Sequence, residues 1–214
     1  MSRFLDQIQS ALPANYFTDL ELLNLVKGSA HARYGLIKRA IAQGELVHLR
    51  RGLYLLGEKY RRQSLNLFEL AQKIYGPSYI SFESALSQRG WIPEAVYSVT
   101  SASFNRSKKF QNVLGLFSYQ RVIAKPFFVQ VERVQTKTVS YFLASPWRAV
   151  ADYVYVHKKD WQGLHPLIHS LRIDDEHFEK VNRSDLEEIE QAYHHRRITK
   201  FIQGALKELA LAFR

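Results

Sequence analysis

Residues 29–56 read SAHARYGLIKRAIAQGELVHLRRGLYLL, and the change of period inside this stretch decides the fold. Ser29 has the chemistry of a helix N-cap, accepting from an amide of the first turn. At 100° per residue Ala30, Leu36, Ile37, Ala40 and Ile41 fall on one face, which is expected to pack inward. The helix is predicted to run to about Gln43, with Gly44 as its stop. Beyond Gly44 the pattern alternates, with Leu46, His48 and Arg50 on one side and Val47 and Leu49 on the other. Arg51-Gly52 then makes a turn into Leu53 to Leu56, so a two-stranded ribbon with a basic tip is expected.

Working upstream, Thr18, Asp19, Leu20 and Glu21 form a T-x-x-E capping box ahead of Leu22, Leu23, Leu25 and Val26, and Gly28 sits where that helix ends. Only a tight glycine-containing turn then separates it from the helix beginning at Ser29. Ser2 to Leu12 carries Phe4, Leu5, Ile8 and Leu12 at helical spacing, and Pro13 stops it. Three helices followed by a basic hairpin is the order of a winged helix-turn-helix, assigned to residues 1–62 as a DNA-binding domain.

The arc of the third helix opposite its apolar face carries His31, Gly35, Lys38, Arg39 and Ala42. Donors able to reach phosphates or guanine edges, with a small residue among them, are what a major-groove helix needs. Glycine within a helix costs about 1 kcal/mol relative to alanine. Two readings explain Gly35: close approach of nucleic acid, or tight packing against another helix. Arg33 lies near the apolar face by strict phase and Tyr34 is intermediate. The predicted DNA-binding set is therefore Ser29, His31, Arg33, Tyr34, Lys38, Arg39, Arg50 and Arg51.

Downstream, residues 63–214 read as a mixed α/β domain with a mostly antiparallel sheet and a helical C-terminal tail, so the chain as a whole is α+β. Helices are expected at Leu65 to Tyr75, Phe82 to Gln88 and Ser145 to Tyr155. Tyr79 to Ser81 reads as a short extended piece, and strand candidates are Val96 to Ser101, Val113 to Ile123, Phe127 to Val134 and Thr138 to Leu143. The tail is expected to be helical over Ser184 to Tyr193 and Ile198 to Phe213.

The chain has 214 residues, 46% hydrophobic and 23% charged, with no cysteine and a net charge of +10. Such a composition supports a folded core and excludes disulfides, thiolate metal sites and cysteine nucleophiles. The excess of charge is local. Residues 1–62 and 63–140 each carry +5, residues 141–214 carry none, and Lys27 to Arg62 alone holds nine basic residues against Glu45 and Glu58. A concentrated basic segment points to a polyanionic partner, double-stranded DNA first. Arg106, Lys108 and Lys109 form a possible second basic patch, extending the DNA path or meeting an acidic partner. With no secretory apolar run and no stretch of about 18 apolar residues, a soluble, cytoplasmic protein without membrane contact is expected.

Other chemistry competes with this reading. His165 and His169 are four apart, but Pro166 and the lack of a nearby carboxylate argue against a metal. Asp174, Asp175 and Glu176, and Asp185, Glu187, Glu188 and Glu190, have the spacing of solvated faces. No phosphate-binding glycine loop or G-x-S-x-G elbow occurs. A nuclease using Glu132 and Lys137 is one alternative. An RNA- or protein-binding adaptor, stacking bases on Tyr54, Tyr60, Phe104, Phe110, Phe117 and Tyr119, is another. The expectation is no catalysis, no cofactor and no metal.

Several linked segments resemble one family. Ile37 to Leu46 with Leu49-Arg50-Arg51-Gly52-Leu53-Tyr54, then Pro77 to Ser81 with Ser84-Ala85-Leu86, Gly90 and Pro93, are similar to the AbiEi-family antitoxins of bacterial type IV toxin-antitoxin systems. The likeness continues through Arg106 to Phe110, Gly115 to Tyr119, and Ala144 to Ala149 with Asp152. It covers roughly residues 15 to 157 and leaves the tail outside. The resemblance implies an N-terminal DNA-binding domain that represses its own operon. It further implies a C-terminal domain, here 63–214, that counters a nucleotidyltransferase-like toxin by direct or only functional contact.

Overall fold

In a computed structural model, residues 3–94, 96–179 and 181–212 are described. Ser2 and Phe213, the expected ends of the first and last helices, lie outside them. The chain is mixed α+β and forms two compact units, Met1–Asn66 with Phe110–Leu114, and Leu67–Lys109 with Gly115–Arg214.

The first unit opens with α1 (Arg3–Ala11), β1 (Tyr16–Thr18), α2 (Asp19–Leu25) and α3 (Ala30–Ala42), followed by β2 (Leu46–Arg50) and β3 (Leu53–Leu56). The capping box forms at α2: the Glu21 amide donates to the Thr18 hydroxyl at 3.3 Å, and the Thr18 amide donates to the Glu21 carboxylate at 2.7 Å. Ser29 caps α3, its hydroxyl accepting from the Ala32 amide at 3.2 Å. Phe4, Leu5 and Ile8 of α1, Leu22 of α2, Ile37 and Ala40 of α3 and Leu46, Tyr54 and Leu56 of the sheet make the core.

The three strands lie in the order β1-β3-β2, and both neighbouring pairs are antiparallel. β1 has no counterpart in the sequence reading, because a strand of three residues, the last of them the helix cap Thr18, is too short to display a period. The strict alternation expected in β2 also fails. A register shift between His48 and Arg50 inserts a bulge, so Leu46 and Leu49 are both buried while His48 is exposed. An extra residue reverses the facing of everything after it.

The second unit comprises α4 (Leu67–Ile74), β4 (Ser78–Ile80), α5 (Phe82–Gln88), β5 (Ser98–Ser103), β6 (Lys108–Asn112, its last three residues counted with the first unit), β7 (Gly115–Arg121), β8 (Val131–Gln135) and β9 (Ser140–Ala144). Helices α6 (Pro146–Val156), α7 (His165–Leu171), α8 (Arg183–Tyr193) and α9 (Arg196–Ala212) complete it. The strand order is β6-β7-β5-β4-β9-β8. Over both sheets antiparallel neighbours predominate, with β4–β9 and β5–β7 running parallel. β6 is an edge strand of sequence KKFQN with only half-buried and exposed residues. It therefore lacks the apolar face by which a strand is recognised. Ser145 and Pro146 start α6 as expected, with the Arg148 amide donating to the Ser145 hydroxyl at 3.2 Å.

The centre of this unit is polar. Arg148 and Asp152 are both fully buried on successive turns of α6, with Arg148 Nε 2.9 Å from Asp152 Oδ1. Arg148 Nη1 donates to the Val129 carbonyl at 2.9 Å and Nη2 to the Tyr79 hydroxyl. The carboxylate in turn accepts from Tyr79 at 2.9 Å, from Ser81 at 2.5 Å and from Tyr193. Burial first, and then the Asp152 charge, pushes the Tyr79 and Tyr193 phenols well above the ordinary tyrosine range. One ion pair thus joins β4, α6, α8 and the Val129 segment. Among the described residues no helix is long and apolar enough to cross a membrane.

Candidate nucleic-acid interface

Helix α3 is held to its unit by very little. Only Ile37 and Ala40 of its thirteen residues are buried, with Arg33 and Leu36 half-buried beside them. Ala30 and Ile41, expected to face inward, are exposed, because the core touches only the narrow stripe through Arg33, Leu36, Ile37 and Ala40 and both lie at its margin. On the opposite side His31, Lys38, Arg39 and Ala42 are exposed and Gly35 is half-exposed. None of the described ion pairs involves Lys38 or Arg39.

At Gly35, a Cβ built on the backbone would meet only Arg39 Nη1, at 3.9 Å. Among the described residues no neighbouring element comes near enough to require glycine there. Of the two readings of this residue, tight packing against another helix is not realised.

The other predicted residues are more engaged. Arg33 Nη1 donates to the Gly28 carbonyl, tying its guanidinium into the turn between α2 and α3. Ser29 spends its oxygen on the cap, and Tyr34 is 63% exposed. Tyr34 lines a cleft of about 470 Å³ with Asp19, Leu20, Leu23, Arg33 and Tyr54. At the hairpin, Arg51 is exposed, whereas Arg50 donates from Nη1 to the Arg51 carbonyl at 2.9 Å and buries its Nε without a hydrogen-bond partner. Arg51 is therefore the outward cation of the tip.

The tip is fixed by a residue the sequence reading treated only as part of the capping box. Asp19 donates its amide to the Gly52 carbonyl at 3.1 Å, and its carboxylate lies where a Cβ on Gly52 would come within 3.0 Å. Gly52 has φ +73°, a conformation side chains disfavour. Burial, followed by the charge and hydrogen bond of Asp19 and by Tyr34, pushes the Tyr54 phenol up to about 12.

The second basic patch belongs to the second unit. Arg106, Lys108 and Lys109 are exposed at the start of β6, the Tyr75 hydroxyl donates to the Arg106 carbonyl at 3.1 Å, and Lys108 Nζ lies 5.8 Å from the Tyr75 ring centre. Of the six aromatics considered for base stacking, Tyr54, Phe117 and Tyr119 are buried in cores, so three cannot stack on a ligand.

Glu132 stands on β8 as expected, but its carboxylate is held by the Arg89 guanidinium, while Lys137 is exposed beyond the strand. His165 and His169 share α7 with ring centres 4.0 Å apart, Pro166 being tolerated in the first turn. Among the described residues no group of three or more carboxylate or imidazole side chains is placed to hold a metal. No protein-family model matches the chain, and no curated protein matches it.

Proposed function

We propose that the first unit is a winged helix-turn-helix that binds double-stranded DNA, with α3 in the major groove and the β2–β3 turn beside it as the wing. The observation that carries this reading is the outer face of α3. A helix that buries two residues and turns Lys38, Arg39 and an unneeded glycine outward is built for something outside its own unit. Lys38, Arg39 and Arg51 supply phosphate contacts, His31 and Tyr34 lie at the edges of the same helix, and Ser29 and Arg33 secure its start.

Taken with the resemblance to AbiEi-family antitoxins, the chain is a repressor of its own operon and the antitoxin to a nucleotidyltransferase-like toxin. It works in the cytoplasm by binding, without catalysis or cofactor. The test is a mobility-shift titration of the chain on its own promoter fragment, with an unrelated fragment of equal length as control. Preference for the promoter, lost in Lys38→Ala/Arg39→Ala/Arg51→Ala, supports the reading, and equal binding by parent and variant overturns it. Co-expression with the adjacent reading frame checks the antitoxin part, for which rescue of growth is expected.

A further inference from the structure

Between α5, the loop leading into β5, the strands β5 and β7 and the end of α7, the second unit has a cleft of about 690 Å³. Ile92, Val96, Leu116 and Leu171 give it apolar walls, and Tyr97, almost fully exposed, adds a ring to them.

Most polar groups of these walls are already engaged. Thr100 donates its hydroxyl to the Ser81 carbonyl at 2.8 Å and accepts from the Ser84 amide at 3.0 Å, while the Ser98 carbonyl accepts from the Ser84 hydroxyl at 3.0 Å. Glu94 is paired with Arg172 at 3.0 Å, so that those two charges cancel. Glu83 is different. It lines the cleft half-buried and enters none of the described ion pairs or side-chain hydrogen bonds. Its charge is felt on α6, where burial first, and then Glu83, pushes the Tyr153 phenol above the ordinary tyrosine range. Position in the first turn of α5 suits an acid, yet a fully exposed carboxylate would serve that helix equally. Sinking the charge among apolar side chains costs free energy unless a counter-charge meets it there.

We infer that this cleft binds a small organic cation with an apolar body, its ammonium on the Glu83 carboxylate and its hydrocarbon or aromatic part against Ile92, Val96, Leu116 and Leu171. A volume of this size, apolar walls and a single convergent charge are the ordinary make-up of a small-ligand site. Selection is by sign: an amine meets Glu83, whereas an anion of the same shape is repelled by it. The chain as a whole carries +10, so preference for a cation here runs against the overall charge and has to come from the cleft itself. Every residue of the site belongs to the second unit, and the inference stands independently of the DNA reading of α3.

Calorimetric titration of the full chain with tryptamine, tryptophol and indole-3-acetate, which share one ring system and differ in charge, tests it. Saturable tryptamine binding is expected, about ten-fold tighter than tryptophol, the difference one hydrogen bond to a charged group makes. Indole-3-acetate should bind more weakly than either. Glu83→Gln should bring tryptamine down to the level of tryptophol and leave tryptophol unchanged, and Glu83→Asp, which keeps a carboxylate, should retain part of the preference. Ser170→Trp, an exposed position on the cleft wall, should weaken tryptamine and tryptophol alike by occupying the space. Should Glu83→Gln not fold, Ser170→Trp and the charge preference of the parent carry the test. The inference is overturned if the parent takes up no tryptamine, if it binds tryptophol or indole-3-acetate as tightly, or if folded Glu83→Gln or Ser170→Trp binds tryptamine like the parent.

Discussion

Arg148 and Arg39 are the same amino acid put to opposite uses. In the second unit, Arg148 is fully enclosed and meets Asp152, Tyr79 and the Val129 carbonyl. In the first, Arg39 stands on an exposed helix face and enters none of the described ion pairs, with open space beside it at Gly35. A count of charges treats the two as equal. What separates them is desolvation: a charge taken out of water must be matched at every donor, so Arg148 is bound to its own fold, while Arg39 keeps its capacity for a partner.

The sharpest way to break this contrast is to unpair the enclosed charge. Asp152→Ala leaves Arg148 buried against two phenols with no carboxylate, and removing one member of a buried pair costs about 3–5 kcal/mol. Chemical denaturation should record that loss, and the Arg148→Met/Asp152→Leu double variant should recover most of it. By contrast, Lys38→Ala/Arg39→Ala should leave stability within about 0.5 kcal/mol of the parent, since both side chains are exposed and neither enters a described ion pair. Its effect belongs to binding. In duplex titrations over a range of salt, the log-log slope should flatten by about 0.9 for each phosphate that is no longer neutralised. A slope equal to the parent's would remove Lys38 and Arg39 from the interface.

Gly35→Ala sharpens the comparison within α3 itself. The added methyl meets only ordinary van der Waals contact, so it should stabilise the helix by up to about 1 kcal/mol. If duplex DNA approaches there, the same methyl weakens binding. Opposite signs in denaturation and in duplex affinity are the expected outcome, and improvement in both would leave the glycine without the proposed role.

Much of the first unit was legible because its signals are local. Thr18 with Glu21, Ser29, Pro13 and Gly44 act on residues three or four away, and the helix ends lie where these place them. The readings that failed depended on non-local packing. Ile41 fits the apolar face by phase but lies beyond the reach of the core, and the bulge after His48 answers to the pairing with β3. The polar centre of the second unit was invisible for the same reason. Tyr79, Ser81, Arg148, Asp152 and Tyr193 span more than a hundred positions, and nothing in their spacing announces that they meet. Within the candidate interface, Lys38, Arg39 and Arg51 were readable as outward cations. The hold of Asp19 on the hairpin was not, since it is a contact across elements, and neither was the turn of Arg50 onto the carbonyl of its neighbour Arg51, which depends on the geometry of the hairpin tip.

That hold can be measured through Tyr54, the smallest effect expected here. Unfolded, its phenol ionises at the ordinary value near 10, but folded it keeps its proton until about 12, first through burial and then through Asp19. Between those values the folded chain binds more protons than the unfolded one, so stability is full below about pH 10 and falls as pH rises. Tyr54→Phe should remove this share of the alkaline decline and leave the rest, which Tyr79 and Tyr193 impose from the second unit. Asp19→Ala should lower the Tyr54 pKa only in part, because burial remains, and should also loosen the hairpin that carries Arg51. If alkaline unfolding curves of the parent and Tyr54→Phe coincide, Asp19 does not clamp the hairpin to α2 through this phenol, and the orientation of Arg51 rests on the Gly52 carbonyl bond alone.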